Sequence, residues 1–301
     1  MRSGPLWGAL GVVAFSFTVP LTRSSVDHLD PLFVSAGRAA VAAVLAAFVL
    51  VAARQPAPRD RQWTRLAVVA VGVVVGFPVL TSYAVTMVPA SHAAVVIALL
   101  PAATAVVAVL RTGERPGCRF WLAAAAGALA GVMFVVSDEG GWHGVHWADL
   151  LLLAAVVAAA VGYAEGGLLA RELGSWQTIS WALLVGAPVT IALTILSLSV
   201  ERPSGTTGDW LGFAYLAVVS MFLGFFAWYR GLAIGPMAQV SQVQLVQPVL
   251  TIVWAAILLG ERVEGPTVVA AGAVVFLAAT AVRSRLAEPA APPIDDATRP
   301  G

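Results

Sequence analysis

The 301-residue chain combines 59% hydrophobic residues with only 11% charged residues and a mean hydropathy of +0.88. This composition does not fit the surface of a water-soluble domain and predicts an integral membrane protein. The net charge of +1 indicates no nucleic-acid or polyanionic partner. All 17 basic residues are arginine, which excludes a phosphate-loop lysine, and therefore ATP-driven pumping by this chain alone. The single cysteine, Cys118, cannot form an intramolecular disulfide.

Charged residues interrupt the chain at intervals of about 20 apolar residues, the length that spans the ~30 Å core of a bilayer. The pattern predicts an all-α integral membrane protein with ten transmembrane helices. One uncharged stretch is too long for a single span, and Pro89 marks the turn that divides it. The predicted spans cover residues 4–22, 31–53, 63–86, 89–111, 118–137, 147–170, 176–200, 209–230, 236–259 and 265–284.

The placement of arginine gives the predicted orientation, because cytoplasmic loops are rich in basic residues. With the N-terminus in the cytoplasm, thirteen arginines fall on the cytoplasmic side, three fall outside, and Arg38 alone lies within a span. We therefore expect a multi-pass protein of the plasma membrane with both termini in the cytoplasm. The proline-rich segment 286–301 is predicted to be a disordered cytoplasmic tail.

The two halves of the chain are related by a constant shift of 147 residues. This shift superposes Trp63 on Trp210, Pro89 on Pro236, Pro101 on Pro248, and Gly113-Glu114-Arg115 on Gly260-Glu261-Arg262. Five helices in each half would reverse the orientation of the second copy, and such inverted repeats are typical of secondary transporters. We predict a first repeat over 1–139, a second over 140–285, and a substrate site between them.

The same landmarks resemble a known family. The segment from Trp228 to Pro236, then Gln247-Pro248 and the block from Leu258 to Arg262, resemble the second repeat of the EamA family in the drug/metabolite transporter superfamily. Pro89, Pro101 and the block from Gly113 to Pro116 are similar to the same motif in the first repeat. The resemblance covers roughly residues 5–285. It implies ten helices, a central cavity lined by helices 1–4 and 6–9, and export of small metabolites. One departure lies on the first helix, where Trp7-Gly8 is followed by Ala9-Leu10 in place of the family's small polar residue and phenylalanine.

Arg38 is the first candidate substrate-binding residue. It lies about seven residues into the second predicted span, which is roughly 10 Å deep. An unpaired arginine at mid-bilayer costs at least ~2.5–3.5 kcal/mol, so we expect its side chain to face the bundle interior. Two interpretations remain open. In the functional one, the guanidinium pairs with a substrate carboxylate or with a helix-end carbonyl at a gate. In the structural one, it snorkels outward or caps carbonyls inside the bundle.

Glu165 is the candidate proton carrier. It is the only acidic residue that lies well inside a predicted span, and that span is the sixth. Burial disfavours the charged form of a carboxylate, which suits proton coupling. The alternative interpretation is an interfacial glutamate near Arg171.

Further candidates are polar or aromatic residues within the spans and two mid-helix prolines. Amide side chains suit neutral or zwitterionic solutes, although they also serve as hydrogen bonds between helices. Prolines remove a backbone hydrogen bond and so suit hinges, although packing alone also explains them. The additional substrate-binding candidates are Trp7, Phe15, Tyr83, His92, Tyr163, Gln239, Gln242, Gln244 and Gln247, and the hinge candidates are Pro101 and Pro248. The glycine pairs Gly4/Gly8, Gly72/Gly76, Gly127/Gly131 and Gly162/Gly166 indicate close helix contacts.

Together these features predict a secondary transporter of small organic metabolites, with amino-acid-like or other neutral or zwitterionic solutes favoured. We expect export by alternating access, driven by the proton motive force or by the solute gradient. The alternatives are an intramembrane enzyme acting on lipid-linked substrates and a non-transporting scaffold. Expected partners are the solute and the bilayer, and a homodimer is compatible with the sequence. No cofactor and no metal are expected, since His143, His146 and Asp149 form only a weak ligand pattern.

Overall fold

The computed structural model of the chain describes residues 4–112, 147–234 and 243–286, together with isolated positions at 118, 121, 122, 125, 126, 129 and 240. Within these residues the fold is entirely helical. We number the main helices α1 (Gly4–Ser25), α2 (Phe33–Ala52), α3 (Asp60–Ala84), α4 (Ala90–Arg111), α5 (Trp147–Leu173), α6 (Ser175–Val200), α7 (Thr207–Ile234), α8 (Gln244–Leu259) and α9 (Gly265–Leu286).

The described helices agree closely with the predicted spans. Helices α1 to α7 contain 20–28 residues each and are long and apolar enough to cross a membrane. They correspond to the first four predicted spans and to the sixth, seventh and eighth, while α8 and α9 correspond to the ninth and tenth. The fifth predicted span and the pair Gly127/Gly131 lie outside the continuous part of the described chain. The all-helical prediction is confirmed for the described residues, and the count of ten helices stays a prediction.

Helix α5 lies at the centre of the packing and contacts α3, α4, α6 and α7. It can do so because small residues such as Ala155, Ala159 and Gly162 are buried along its length. At its closest approach to α3, a Cβ added to Gly72 would lie 2.5 Å from the carbonyl oxygen of Ala158 and 3.0 Å from the Cα of Gly162. The second close approach joins α1 to α7, where a Cβ on Gly231 would lie 2.8 Å from the backbone nitrogen of Gly8. Small residues therefore bring the two halves of the chain together backbone to backbone.

Both halves depart from regular α-helix at equivalent places. Wide π-type turns occur at Ala70–Gly76 and at Leu216–Leu223, which the 147-residue shift nearly superposes. Helix α4 is interrupted at Ala98–Leu99, and α8 begins with a 3₁₀ turn at Gln244–Val246, again at matching positions. The break in α4 and the 3₁₀ turn of α8 each end two residues before a proline, Pro101 or Pro248, which cannot donate a backbone hydrogen bond. The sequence repeat is therefore also visible in the backbone.

Replacing Gly72 by alanine tests the contact between α3 and α5. The added methyl group meets backbone atoms that cannot move aside, so we expect a loss of stability of about 1–3 kcal/mol. The measurement is the apparent Tm of the detergent-solubilised protein. The matched control is Gly272→Ala on α9, where no atom lies within 4 Å of the new methyl group. Equal Tm values for the two variants would contradict the close packing described here.

Candidate functional site

Arg38 lines a small cavity between helices of the bundle. Its volume is ≈ 20 Å³, which is room for about one water molecule. Both halves of the chain contribute to its wall. The first half supplies Phe15, Thr18, Val19, Arg38, Val73, Phe77 and Pro78, and the second half supplies Tyr163, Ser220, Met221, Phe225 and Gln247.

Arg38 is fully buried, with 1% of its surface exposed. Its Nη1 donates a hydrogen bond to Thr22 Oγ1 at 3.3 Å, whereas its Nε has no hydrogen-bond partner among the described residues. In the same part of the chain no carboxylate lies within salt-bridge distance of Arg38. Arg38 therefore combines a positive charge with a donor that the described residues leave unpaired, a combination that suits a carboxylate.

Hydroxyl groups and aromatic rings complete the cavity. Thr18 Oγ1 and Ser220 Oγ lie 2.8 Å apart and join α1 to α7. The rings of Phe15 and Phe225 are 4.9 Å apart, and Tyr163 packs against Phe225 at 5.9 Å. The cavity thus combines the charge of Arg38 and the polar side chains of Thr18, Ser220 and Gln247 with a largely apolar, aromatic surface, as in typical sites for small organic ligands.

A second, narrower cavity of ≈ 10 Å³ adjoins the first, since Val19 and Gln247 line both. It contains both hinge candidates, Pro101 and Pro248, together with Gln244. Gln244 is 2% exposed, and neither its amide nitrogen nor its amide oxygen has a partner among the described residues. The Oε1 of Gln247 also has no hydrogen-bond partner among the described residues. Buried amides without partners are costly, so this cavity offers polar groups that a solute can satisfy.

Other predicted binding residues lie elsewhere. Trp7 is 36% exposed and stacks against the guanidinium of Arg230 at 5.6 Å, and Tyr83 is exposed near the end of α3. His92 is buried, and its Nε2 lies 2.8 Å from Asp149 Oδ1, which joins α4 to α5. None of these three lines the Arg38 cavity. Gln239 and Gln242, like His143 and His146, lie outside the described residues.

Glu165 lies in an ion-pair cluster at the end of the bundle where α3 begins and α4 ends. Its carboxylate accepts hydrogen bonds from Arg65 Nε and, at 2.7 Å, from Arg111 Nε. Arg65 also donates to Glu172, which lies about two turns further along α5. The carboxylate of Glu165 is 6% exposed and is separate from the Arg38 cavity. Its partners are therefore Arg65 and Arg111, not the neighbouring Arg171.

Sequence reasoning identified Arg38, Phe15, Tyr163, Gln244 and Gln247 but missed the hydroxyls and the second aromatic ring. Thr18, Ser220 and Phe225 are ordinary residues in apolar spans, and no local pattern separates them from packing residues. Only the contact between α1 and α7 brings them to the cavity. The partners of Glu165 were missed for the same reason, because they lie 54 and 100 residues away in the chain.

The described fold and site define a multi-pass helical membrane protein with a buried, charged cavity between two related halves. The model of the EamA-like transporter family matches this chain over residues 2–137 and again over residues 146–283. The chain therefore belongs to the EamA-like transporter family, and the resemblance seen in the sequence is confirmed.

Two relatives and one solved structure extend this result. The uncharacterized transporter YdeK of Bacillus subtilis (strain 168) is 43% identical over 281 residues, which cover 93% of this chain and 97% of that protein. A probable terminal-alkyne amino-acid exporter of Streptantibioticus cattleyicolor is 26% identical over 277 residues, or 90% of each chain. A crystal structure that is 20% identical has the same fold, with a TM-score of 0.66 over 93% of this chain and 99% of that one.

Replacing Arg38 by methionine separates the two interpretations of this residue. Methionine has a similar length and no charge, so it removes an incompletely paired charge from an apolar site. If the role of Arg38 is to bind a solute carboxylate, we expect the apparent Tm of the variant to stay unchanged or to rise. If Arg38 instead supports the fold through Thr22, the Tm falls. The measurement is thermal unfolding in detergent, with Arg202→Gln in the exposed α6–α7 loop as the control for loss of an arginine.

Proposed function

We propose that the protein is a secondary transporter that exports small organic solutes carrying a carboxylate, with amino-acid-like molecules as the favoured class. The single observation that carries this proposal is the buried Arg38, which lines a cavity shared by both halves of the chain and whose Nε has no partner among the described residues. A solute carboxylate would satisfy the charge that the surrounding residues leave incompletely paired. The apolar side chain of such a solute would lie against Phe15, Tyr163 and Phe225.

The amide groups extend this proposal to zwitterions. A solute ammonium group needs acceptors, and the amide oxygens of Gln244 and Gln247 are buried acceptors without partners among the described residues. The name of one relative, a probable terminal-alkyne amino-acid exporter, is compatible with this solute class and with export.

The proposed transport mechanism is alternating access between two inverted five-helix repeats. In this arrangement the chain has ten transmembrane helices, lies in the plasma membrane and has both termini in the cytoplasm, as the distribution of arginine predicts. Glu261 accepts hydrogen bonds from the first backbone amides of α4, and this contact would then lie at the extracellular end. The Arg65–Glu165–Arg111 cluster would lie at the cytoplasmic end. Assembly as a homodimer stays a prediction.

The competing functions receive less support from the described residues. An intramembrane enzyme needs an activated nucleophile, paired carboxylates or a metal site near its substrate. The described wall of the Arg38 cavity contains none of these groups. A non-transporting scaffold is less consistent with membership of a transporter family.

Transport by purified protein in proteoliposomes tests the proposed function. We expect uptake or efflux of an amino acid, no transport of the matching amine that lacks the carboxylate, and at least a roughly tenfold loss of rate for Arg38→Met. Arg202→Gln should transport at the wild-type rate. If the amine is carried as well as the amino acid, or if Arg38→Met transports normally, the carboxylate site is wrong.

Proton coupling through Glu165 is tested separately with Glu165→Gln. This substitution keeps the shape of the side chain but removes its ability to exchange a proton. If Glu165 carries the coupled proton, the variant should retain solute exchange without a gradient and lose the stimulation by a pH gradient. Transport by this variant that still depends on the pH gradient would exclude the role.

A further inference from the structure

The N-terminus of helix α4 is held by a carboxylate from the other half of the chain. Glu261 accepts hydrogen bonds from the backbone N–H groups of Ala90 at 2.7 Å and of Ser91 at 2.9 Å. The first amides of a helix have no partners within it, and Pro89, the residue that precedes α4, supplies no side-chain cap. A negative charge at this position is also favoured by the helix dipole. Glu261 therefore occupies the place of a capping residue, although it is 171 residues away from Ala90.

The turn after α8 directs Glu261 towards α4. Gly260 adopts a left-handed conformation with φ +66°, which ends α8 and which glycine adopts without strain. The N–H of Glu261 then donates to the carbonyl of Ala255 at 3.4 Å. The contact joins the two halves of the chain, because α4 belongs to the first repeat and Glu261 to the second.

The opposite end of α4 carries another contact between the halves. Along the helix, Ala90 and Arg111 are about 30 Å apart, which is the thickness of the bilayer core. Arg111 and its neighbour Arg65 belong to the first repeat and bind Glu165 of the second. Charged contacts thus join the halves at both ends of the described bundle.

The second cavity is lined by Ala94, Ile97 and Pro101 of α4, which lie between these two contacts, and it adjoins the Arg38 cavity. Both cavities are too small for a metabolite. The two adjoining cavities have volumes of ≈ 20 Å³ and ≈ 10 Å³, whereas small-molecule sites usually measure ~300–1,000 Å³. A solute can enter only if the halves separate at one end. Such a separation breaks the charged contact at that end and leaves the other intact.

We propose that Glu261 and Glu165 are positioning residues that hold the two mouths of the transport pathway closed, Glu261 at the extracellular mouth and Glu165 at the cytoplasmic mouth. This inference rests on the proposed function and orientation. Loss of one carboxylate shifts the conformational equilibrium towards opening at that end. The two substitutions therefore have opposite effects on access to the same cavity.

Thiol labelling from each side of the membrane tests this proposal. Ser220→Cys places a reporter thiol in the cavity, and Cys118→Ser removes the native exposed cysteine. The probe is an anionic, membrane-impermeant methanethiosulfonate, applied to inside-out and right-side-out vesicles. In this background, Glu261→Gln should speed labelling from the extracellular side roughly tenfold, as expected for loss of a charged hydrogen-bond pair. Glu165→Gln should speed labelling from the cytoplasmic side by a similar factor.

Two neighbouring acids provide matched controls. Glu264→Gln removes an exposed charge from the turn that carries Glu261, and Asp60→Asn removes one from the end of α3 that carries Arg65. Both should label like the background protein from either side. If Glu261→Gln does not fold, Glu261→Asp serves instead, because it keeps the charge but shortens its reach, and should give a smaller change in the same direction.

The outcomes distinguish the gating roles of the two glutamates from the proposed solute and orientation on which they rest. Faster labelling from both sides, or no change in either variant, would overturn the gating roles even if the protein transports amino acids. Opposite shifts with no transported solute would support the gates and count against the proposed solute. Opposite shifts with the sides exchanged would refute the proposed assignment of each glutamate to its mouth.

Discussion

A positive charge in the middle of an apolar bundle is the constraint on which the rest of the structure depends. Arg38 has only Thr22 as a hydrogen-bond partner among the described residues, so its burial carries a free-energy cost that this one contact does not offset. The surrounding helices keep water and lipid away from this group. Among the described residues, the other charged contacts between the two halves lie near the ends of the bundle. In a membrane, these ends would lie close to the polar headgroups.

Much of the fold follows from the sequence because the bilayer allows few solutions. Apolar segments of sufficient length must form helices, and the charges that separate them mark the loops. Pro89 ends one span and begins the next in the structure as in the sequence. The repeat was equally visible, because prolines and glycines have backbone roles that survive when neighbouring side chains change. Pro101 and Pro248 still follow matching breaks in their helices.

The site was less predictable, because local sequence patterns do not show which residues of different helices lie close together. Arg38 could be identified, since a charge within an apolar span needs an explanation. Ser220 could not, because serine is common in membrane helices and its neighbours are ordinary. Glu261 was conspicuous as part of a repeated block, yet the sequence gives no sign that its carboxylate reaches the amides of α4. Trp7 is the opposite case. It is prominent in the sequence, but its ring contacts Arg230 and does not line the Arg38 cavity.

The two close approaches between the halves limit how the molecule can move. Backbone meets backbone where Gly8 faces Gly231 and where Gly72 faces Gly162, so neither contact can slide or part without losing a large area of packing. Two fixed points define a line. A rigid motion of one half relative to the other that keeps both points in contact can only be a rotation about that line. Any movement of the halves that keeps both glycine contacts therefore has a single degree of freedom, a tilt about this line.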